Sequence, residues 1–188
     1  MPMNVLAEII AALWFMLPAY VPNSAAVLFR GKIPMDLGKN FIDGRRILGK
    51  GKTWRGFLGG SLTGFFLGII LNVLAKFLPQ PYFPPFSESI LKAIGIILCL
   101  AFGAMLGDAT GSFIKRRLGI ESGGRAFLLD QLTFVFVAWF LVWIFYPSFF
   151  MFAFGNIPAL LTILVLTPLI HRGVNIAAYK MGKKSVPW

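Results

Sequence analysis

The chain contains five apolar runs whose lengths suit helices that cross a lipid bilayer. They cover residues 5–21, 57–78, 89–114, 126–146 and 157–170. The hydrocarbon core of a bilayer is about 30 Å thick and needs roughly 20 mostly apolar residues per spanning helix. Hydrophobic residues make up 57% of the sequence and charged residues only 13%, a balance that water-soluble folds do not carry. We therefore predict an all-α integral membrane protein in which residues 1–188 form a single transmembrane domain with about five spanning helices.

Basic residues are distributed unequally between the loops that these spans define. Of the 18 lysine and arginine residues, 16 lie in the loops 30–55 and 115–125 or after residue 170, whereas Lys76 and Lys92 lie on the other side. Loops that face the cytoplasm are enriched in lysine and arginine. This distribution predicts an N-terminus outside the cell, a C-terminus in the cytoplasm and two basic cytoplasmic loops.

Glycines recur at every fourth position of the second and third spans. They are Gly56, directly before the second span, with Gly60, Gly64 and Gly68 within it, and Gly103, Gly107 and Gly111 in the third. Small residues at this spacing let two helix backbones approach closely in lipid. We therefore expect the second and third helices to form a tightly packed core.

The third span carries a carboxylate, Asp108, about two turns from its cytoplasmic end. Ser112, Lys115 and Arg116 follow at positions i+4, i+7 and i+8, so the four residues share one helix face. A carboxylate inside an apolar helix is unfavourable unless it meets water, a cation or a basic partner. Asp108 is therefore a candidate functional residue, and a buried ion pair with a lysine or arginine is the alternative.

A second carboxylate, Asp130, lies a few residues into the fourth span, after the loop RRLGIESGGRAF. Mg²⁺ usually takes one or two carboxylates and completes its coordination with water and substrate phosphate oxygens. Asp108 and Asp130 have the chemistry to hold such an ion, and Lys115, Arg116 and Arg125 add the positive charge that a phosphorylated ligand needs. These residues predict a site for Mg²⁺ and a phosphate at the cytoplasmic edge of the membrane.

The first basic loop interleaves glycines with basic residues and leads directly into the second span, with the sequence GKNFIDGRRILGKGKTWRG. Glycines let backbone N–H groups approach a phosphate, and the N-terminus of the following helix adds the positive end of its dipole. Lys52 and Arg55 add charge at this position. Enrichment of cytoplasmic loops in basic residues explains Arg30, Lys32 and Lys39 equally well, so both interpretations stay open for them.

Three motifs occur in order at the cytoplasmic ends of the apolar spans: GKGKTWRG, GDATGSFIKRR and SGGRAFLLDQ. In this order and topology they resemble the CTP:phosphatidate cytidylyltransferase superfamily. The longer stretch DLGKNFIDGRRILGKGKTWRGFLGG is similar to its archaeal branch, the CDP-archaeol synthases, and the resemblance covers most of residues 17–133. It implies Mg²⁺-dependent transfer of CMP from CTP to an archaeal ether-lipid phosphate, 2,3-bis-O-geranylgeranylglyceryl phosphate, with release of pyrophosphate.

The resemblance also implies a role for each matching residue. Asp108 and Asp130 would hold Mg²⁺ and take part in catalysis, together with Lys115 and Arg116. The family's Ser-x-x-Lys-Arg element and its paired glycines fall on Ser112, Lys115, Arg116, Gly123 and Gly124, which would bind substrate. Because phosphoryl-type transfer relies on charge neutralisation, we assign Lys52, Arg55, Lys115 and Arg116 to the CTP phosphates, with the lipid phosphate as the alternative for Lys115. Arg45 and Arg46 are candidates for either anion, and Thr53 is a further candidate for substrate binding. In the bacterial pattern a histidine precedes the paired glycines and a second aspartate follows the first by three residues. This chain has Ser122 and Thr133 at those positions, so the number of metal ions stays open.

A multi-pass transporter or channel for anionic solutes is the alternative function from a different class. It would also place charged residues beside a helix seam, but five spans do not divide into equal halves and the charged motifs cluster at one interface. A CDP-alcohol phosphotransferase would need a multi-aspartate helix pattern that the sequence lacks. We therefore expect a cell-membrane enzyme with its active site facing the cytoplasm. Its expected partners are CTP, a lipid phosphate and the bilayer, without nucleic acid, and its oligomeric state stays unknown.

Overall fold

A computed structural model describes residues 4–29 and 31–182, and these residues form six α-helices. The helices are α1 (Val5–Ala26), α2 (Trp54–Leu74), α3 (Ile90–Arg117), α4 (Leu129–Phe145), α5 (Pro147–Phe154) and α6 (Ile157–Lys180). Of the helices described, α1, α2, α3 and α6 are long and apolar enough to cross a membrane, and α2 is extended by a 3-10 turn to Phe77. Helix α4 is apolar but has 17 residues, which corresponds to about 26 Å.

These helices confirm the predicted all-α membrane fold. The count of five spans and the orientation in the membrane stay predictions. Three basic residues that contribute to the predicted charge distribution, Arg30, Lys183 and Lys184, lie outside the described residues.

The helices differ from the predicted spans at their ends and in one additional element. Helix α2 begins at Trp54 rather than residue 57, because the hydroxyl oxygen of Thr53 caps it by accepting a hydrogen bond from the N–H of Gly56. Helix α4 begins at Leu129 rather than residue 126, because Leu128 has a φ of +68°, through which an α-helix does not continue. The additional helix, α5, begins at Pro147, a residue type well suited to the first helical position.

Basic and polar residues extend the remaining helices beyond the predicted spans. Helix α3 continues to Arg117, where basic side chains in the last turn complement the negative end of the helix dipole. Helix α1 continues to Ala26 and α6 to Lys180. The apolar runs therefore locate the helices, but they do not give their ends.

The glycine positions bring α2 close to α3, as predicted, and they also form two close-packed seams that the sequence did not predict, one with α1 and one with α4. In α2, a Cβ atom at Gly60 would lie 2.7 Å from the carbonyl oxygen of Pro22, so this seam faces α1. In α3, a Cβ atom at Gly103 would lie 2.7 Å from the Cα atom of Ala138, so the second seam faces α4. The same face of α2 also meets α3, because a Cβ atom at Gly64 would lie 3.0 Å from Cβ of Ala101 and one at Gly68 would lie 2.3 Å from Cγ2 of Ile97. Glycine spacing indicates which face of a helix is close-packed, but it carries no information about the partner helix.

Aromatic side chains pack the end of the helix assembly that lies away from the two basic loops. Phe15 of α1 is fully buried and contacts Phe86 and Phe149 edge to face, with ring centroids 5.2 and 4.9 Å apart. Trp14 donates a hydrogen bond from Nε1 to the carbonyl oxygen of Pro84 at 3.0 Å. At the opposite end of the assembly, the loop before α2 meets the C-terminal end of α3.

Candidate active site

The carboxylate within α3, Asp108, is paired with a lysine from the first basic loop (residues 31–53). Lys52 Nζ donates a hydrogen bond to Asp108 Oδ2 at 2.5 Å, and the two side chains are 28% and 29% exposed. The alternative considered for Asp108 was a buried ion pair with a lysine or arginine, and the structure shows an ion pair with a lysine that is partly exposed. Its basic partner is one of the residues expected to bind a phosphate, and the partial exposure of both groups leaves them accessible to a ligand.

The second predicted carboxylate, Asp130, is held in a similar way. Its Oδ1 accepts a hydrogen bond from Lys115 Nζ at 2.5 Å, and its Oδ2 accepts one from the backbone N–H of Ala126 at 2.9 Å. Lys115 Nζ also donates to the carbonyl oxygen of Gly124 at 3.2 Å. Lys115 therefore joins the end of α3 to both the second basic loop (residues 118–128) and the first turn of α4.

Ser112 and Arg116 lie on α3, on the face that also carries Asp108 and Lys115. Both are buried, with exposed fractions of 5% and 6%. The Nε atom of Arg116 is buried and has no hydrogen-bond partner among the residues that the structure describes. A buried charged donor without a partner is unfavourable. The Nε–H group of Arg116 is thus available to donate a hydrogen bond to an anion that enters the site.

Asp36, which the sequence motifs do not single out, organises the first basic loop. Its buried carboxylate accepts two hydrogen bonds from the Arg46 guanidinium, each at 2.9 Å. It also accepts hydrogen bonds from three backbone N–H groups, those of Gly38, Leu48 and Gly49, at 2.9 to 3.1 Å. Burial by itself raises the pKa of Asp36, but these hydrogen bonds outweigh burial and hold the pKa well below its usual range.

Two arginines fasten the first basic loop to the C-terminal end of α3. Arg45 Nη1 donates to the carbonyl oxygen of Arg117 at 2.8 Å, which satisfies one of the free carbonyl groups at the helix end. The Arg117 Nε atom lies 3.1 Å from a carboxylate oxygen of Asp43. Its guanidinium carbon also lies 4.8 and 4.9 Å from the ring centroids of Phe41 and Phe113. These contacts fold the loop over the end of α3, beside the two lysine–aspartate pairs.

The predicted site residues therefore have different surroundings in the structure. Lys52, Asp108, Lys115 and Asp130 form the two ion pairs, and Ser112 and Arg116 share their face of α3. Arg45 and Arg46 hold the first basic loop, Thr53 caps α2, and Gly124 accepts a hydrogen bond from Lys115. Arg55 lines a separate depression beside Lys32 and Trp54, and Gly123 has a φ of +90° in the second basic loop. Their roles in substrate binding stay predictions.

Asp108 and Asp130 provide the oxygen ligands that suit Mg²⁺. Within residues 4–29 and 31–182, no group of three or more His, Cys, Asp or Glu side chains could hold a metal ion by itself. Mg²⁺ needs only one or two carboxylates where phosphate oxygens and water complete its octahedron. The donor set is therefore compatible with Mg²⁺ bound together with a phosphorylated ligand, rather than with a metal enclosed by protein side chains.

Comparisons with known proteins identify the family. The family model described as CarS-like, CDP-archaeol synthase, matches residues 5–188. The CDP-archaeol synthase of Methanospirillum hungatei is 49% identical to this chain, over 92% of this chain and 100% of that protein. The CDP-archaeol synthase of Archaeoglobus fulgidus is 44% identical, over 96% of this chain and 98% of that protein.

A solved structure supports the same assignment. It is described as an intramembrane enzyme for archaeal membrane lipid biosynthesis, and it matches this chain with a TM-score of 0.65 and 34% identity. The match covers 88% of this chain and 92% of the solved one. These findings confirm the resemblance carried by the three sequence motifs and the prediction of an enzyme. The chain belongs to the CarS-like family of CDP-archaeol synthases.

Proposed function

We propose that the protein transfers CMP from CTP to 2,3-bis-O-geranylgeranylglyceryl phosphate in a Mg²⁺-dependent reaction that releases pyrophosphate. Its family supports cytidylyl transfer to an archaeal ether lipid, since its relatives are CDP-archaeol synthases. The observation that carries the proposal is the pair of lysine–aspartate contacts, Lys52 with Asp108 and Lys115 with Asp130. They join the first basic loop, α3 and the start of α4. They combine metal ligands and phosphate ligands in one region.

The proposed reaction needs neutralisation of charge more than activation of a nucleophile. An oxygen of the lipid phosphate attacks the α-phosphorus of CTP, the bond from that phosphorus to the bridging oxygen of the β-phosphate breaks, and pyrophosphate leaves with the negative charge. Positive groups fixed in place before the reaction stabilise such a transition state. Lys52, Lys115 and Arg116 supply these groups, and no serine, cysteine or histidine nucleophile is required.

A bound Mg²⁺ ion would neutralise phosphate charge as a Lewis acid. Asp108 and Asp130 would hold it. Lys52 and Lys115 stabilise these carboxylates at the edge of an apolar helix assembly, because each ion pair offsets part of the unfavourable energy of a carboxylate there. The long, flexible lysine side chains can reach phosphate oxygens once a ligand is bound.

We also infer that the site faces the cytoplasm. The two basic loops meet at the same end of the helix assembly, through Arg45 and the C-terminal end of α3, and loops rich in lysine and arginine generally stay on the cytoplasmic side. CTP would then enter from the cytoplasm, and the isoprenoid tails of the lipid would stay in the bilayer.

The proposed function is tested with purified protein, CTP, MgCl₂ and the ether-lipid phosphate. We expect release of pyrophosphate together with a CDP-lipid identified by mass, and loss of both when EDTA removes divalent cations. Asp108→Asn and Asp130→Asn are each expected to abolish turnover. Glu88→Gln, which changes an exposed carboxylate just before the opposite end of α3, serves as the matched control and is expected to retain activity.

One outcome would contradict the proposed reaction, and another would contradict the roles given to the two aspartates. One is the absence of a CDP-lipid product with any lipid phosphate, together with uptake of an anionic solute by proteoliposomes, which would favour the transporter. The other is full turnover by both aspartate variants. That result would leave a cytidylyltransferase whose reaction does not use these carboxylates.

A further inference from the structure

A small pocket with polar and apolar walls lies between the start of α4 and the C-terminal half of α6. Its volume is about 130 Å³, and its polar lining consists of Arg125, Asp130, Gln131, His171, Arg172 and Asn175. Asp130 also accepts the hydrogen bond from Lys115. The pocket therefore shares one wall with the candidate active site. Arg125 was expected from the sequence to add charge for a phosphorylated ligand, whereas the residues from α6 have no role in the reaction described above.

Two arginines give the pocket a positive charge. Arg125 comes from the second basic loop and Arg172 from α6, and both residues are exposed. Neither guanidinium forms an ion pair or hydrogen bond with the residues that the structure describes. The one carboxylate in the lining, Asp130, already shares its charge with Lys115 at 2.5 Å. An anion in the pocket can therefore be bound by both guanidinium groups, which suit phosphate oxygens well.

The wall of the pocket contains a buried polar group without a partner. Gln131 is 7% exposed, and its Oε1 atom accepts no hydrogen bond from the described part of the chain. A buried acceptor in this state is unfavourable, so its partner is expected to come from the contents of the pocket. After rotation by half a turn, the same amide presents N–H donors to an oxygen anion.

The surroundings of the pocket are apolar and face outwards. Phe127 in the pocket lining is 64% exposed, and on α6 the side chains of Leu169 and Val174 are 63% and 40% exposed. Exposed apolar side chains on the helices of a membrane protein contact lipid tails. The pocket thus places arginines next to a surface suited to the hydrocarbon region of the bilayer.

The size of the pocket favours a headgroup over a whole nucleotide. Pockets that enclose drug-sized molecules measure about 300–1,000 Å³, whereas this one measures about 130 Å³. A phosphate with the first atoms of its glycerol is a small polar group whose tails can leave along the apolar rim. CTP carries a base, a ribose and three phosphates, all of them polar, and it matches neither this volume nor the rim.

We propose that this pocket binds the phosphate headgroup of the lipid substrate, with Arg125 and Arg172 contacting the phosphate oxygens. This assignment rests on the proposed function and deepens it, since it separates the lipid position from the CTP position. The lipid phosphate would approach from the α4–α6 side, next to Asp130, while CTP would occupy the side formed by Lys52 and Asp108.

Steady-state kinetics with Arg125→Gln and Arg172→Gln test this proposal. Each substitution is expected to raise the KM for the lipid phosphate by roughly tenfold or more, because a charge-assisted hydrogen bond to the phosphate is lost. The KM for CTP is expected to stay within about twofold, since CTP occupies the other side of the site. Lys180→Gln, another exposed basic residue on α6, is the matched control and is expected to change neither constant. Thermal unfolding of each variant shows that it is folded.

A binding measurement without CTP separates failure of this proposal from failure of the proposed function. Detergent-solubilised protein is titrated with a short-chain dialkylglycerol phosphate, with the matching dialkylglycerol and with inorganic phosphate. We expect binding of the first ligand alone at low concentration, weakened in both arginine variants. If wild-type protein makes no CDP-lipid but binds this ligand through the arginines, the proposed function fails and the pocket assignment holds.

Three results would overturn the pocket assignment. The first is a raised KM for CTP with an unchanged KM for the lipid, which would place the nucleotide here. The second is unchanged constants in both arginine variants of an active enzyme. The third is equal affinity for inorganic phosphate and for the lipid phosphate, which would make this a site for small anions without lipid specificity.

Discussion

Lys52 and Asp108 are 56 positions apart in the sequence, yet Nζ of the lysine lies 2.5 Å from Oδ2 of the aspartate. This contact joins the first basic loop to a carboxylate within α3. Because both side chains are partly exposed, the energy of the pair in the resting protein is modest. Its main consequence is positional, since the proposed phosphate-binding lysine and the proposed metal-binding aspartate are held side by side.

Replacement of Lys52 tests the role of this contact in catalysis. Lys52→Met is expected to lower kcat/KM for CTP by about 100-fold, because one preorganised positive group is lost from the transition state. Thermal stability is expected to change little, since the pair is partly exposed. Lys50→Met, an exposed lysine in the same loop, is the matched control. An equal, small effect of both substitutions would mean that Lys52 contributes only to the general charge of the loop.

Arg116 is expected to show opposite effects on stability and activity. Arg116→Gln removes a buried guanidinium whose Nε has no partner in the described chain. The melting temperature is therefore expected to stay the same or to rise, because a buried charge without a full set of partners is unfavourable. The kcat/KM for CTP is expected to fall by about 100-fold. Lower stability with unchanged activity per folded molecule would show instead that Arg116 is structural.

Asp36 is expected to control the conformation of the first basic loop. Asp36→Asn breaks a buried ion pair with Arg46 and weakens the hydrogen bonds from three N–H groups, which corresponds to about 3 kcal/mol. We expect the variant to be cleaved faster by trypsin within the first basic loop, whereas Asp43→Asn, on a more exposed carboxylate, is expected to have a smaller effect. Equal cleavage of wild type and Asp36→Asn would contradict this role.

The contribution of Asp36 is also expected to depend on pH with a defined sign. Folding lowers the pKa of Asp36 below its usual value, so the ionised carboxylate stabilises the folded state at any pH above the unfolded pKa, which is about 3.9. The difference in melting temperature between wild type and Asp36→Asn is therefore expected to be constant above about pH 5 and to shrink as the pH falls below about 4. A difference that grows in acid would contradict the assignment.

The seam between α3 and α4 is expected to tolerate no side chain at Gly107. A Cβ atom there would lie 2.5 Å from Cα of Phe134 and 2.6 Å from the carbonyl oxygen of Thr133, both backbone atoms that cannot move independently. Gly107→Ala is therefore expected to lower the stability of the detergent-solubilised protein by about 1–3 kcal/mol. Gly173→Ala is the control, because a Cβ atom at Gly173 meets nothing within 4 Å. Thermal unfolding measures both.

The sequence alone was sufficient to predict the helical membrane fold and the family of the protein. Apolar runs of bilayer length determine that helices form, because backbone groups in lipid must be paired within their own segment. Asp108 and Asp130 could also be identified as candidates, since a carboxylate in or beside an apolar helix stands out against its neighbours. Asp36 could not, because an aspartate in a polar loop looks ordinary until its partners are known.

Only the tertiary structure decided which residues contact one another. Asp36 with Arg46, Lys52 with Asp108 and Arg45 with the end of α3 all depend on how the first basic loop folds back. The partner helix at each glycine seam likewise became known only from the helix packing. The pocket at Arg172 exists only because α6 lies beside the start of α4. Hydrophobic patterning in a sequence is local and fixes individual helices, whereas ion pairs and pockets arise between segments whose separation along the chain says nothing about their distance in space.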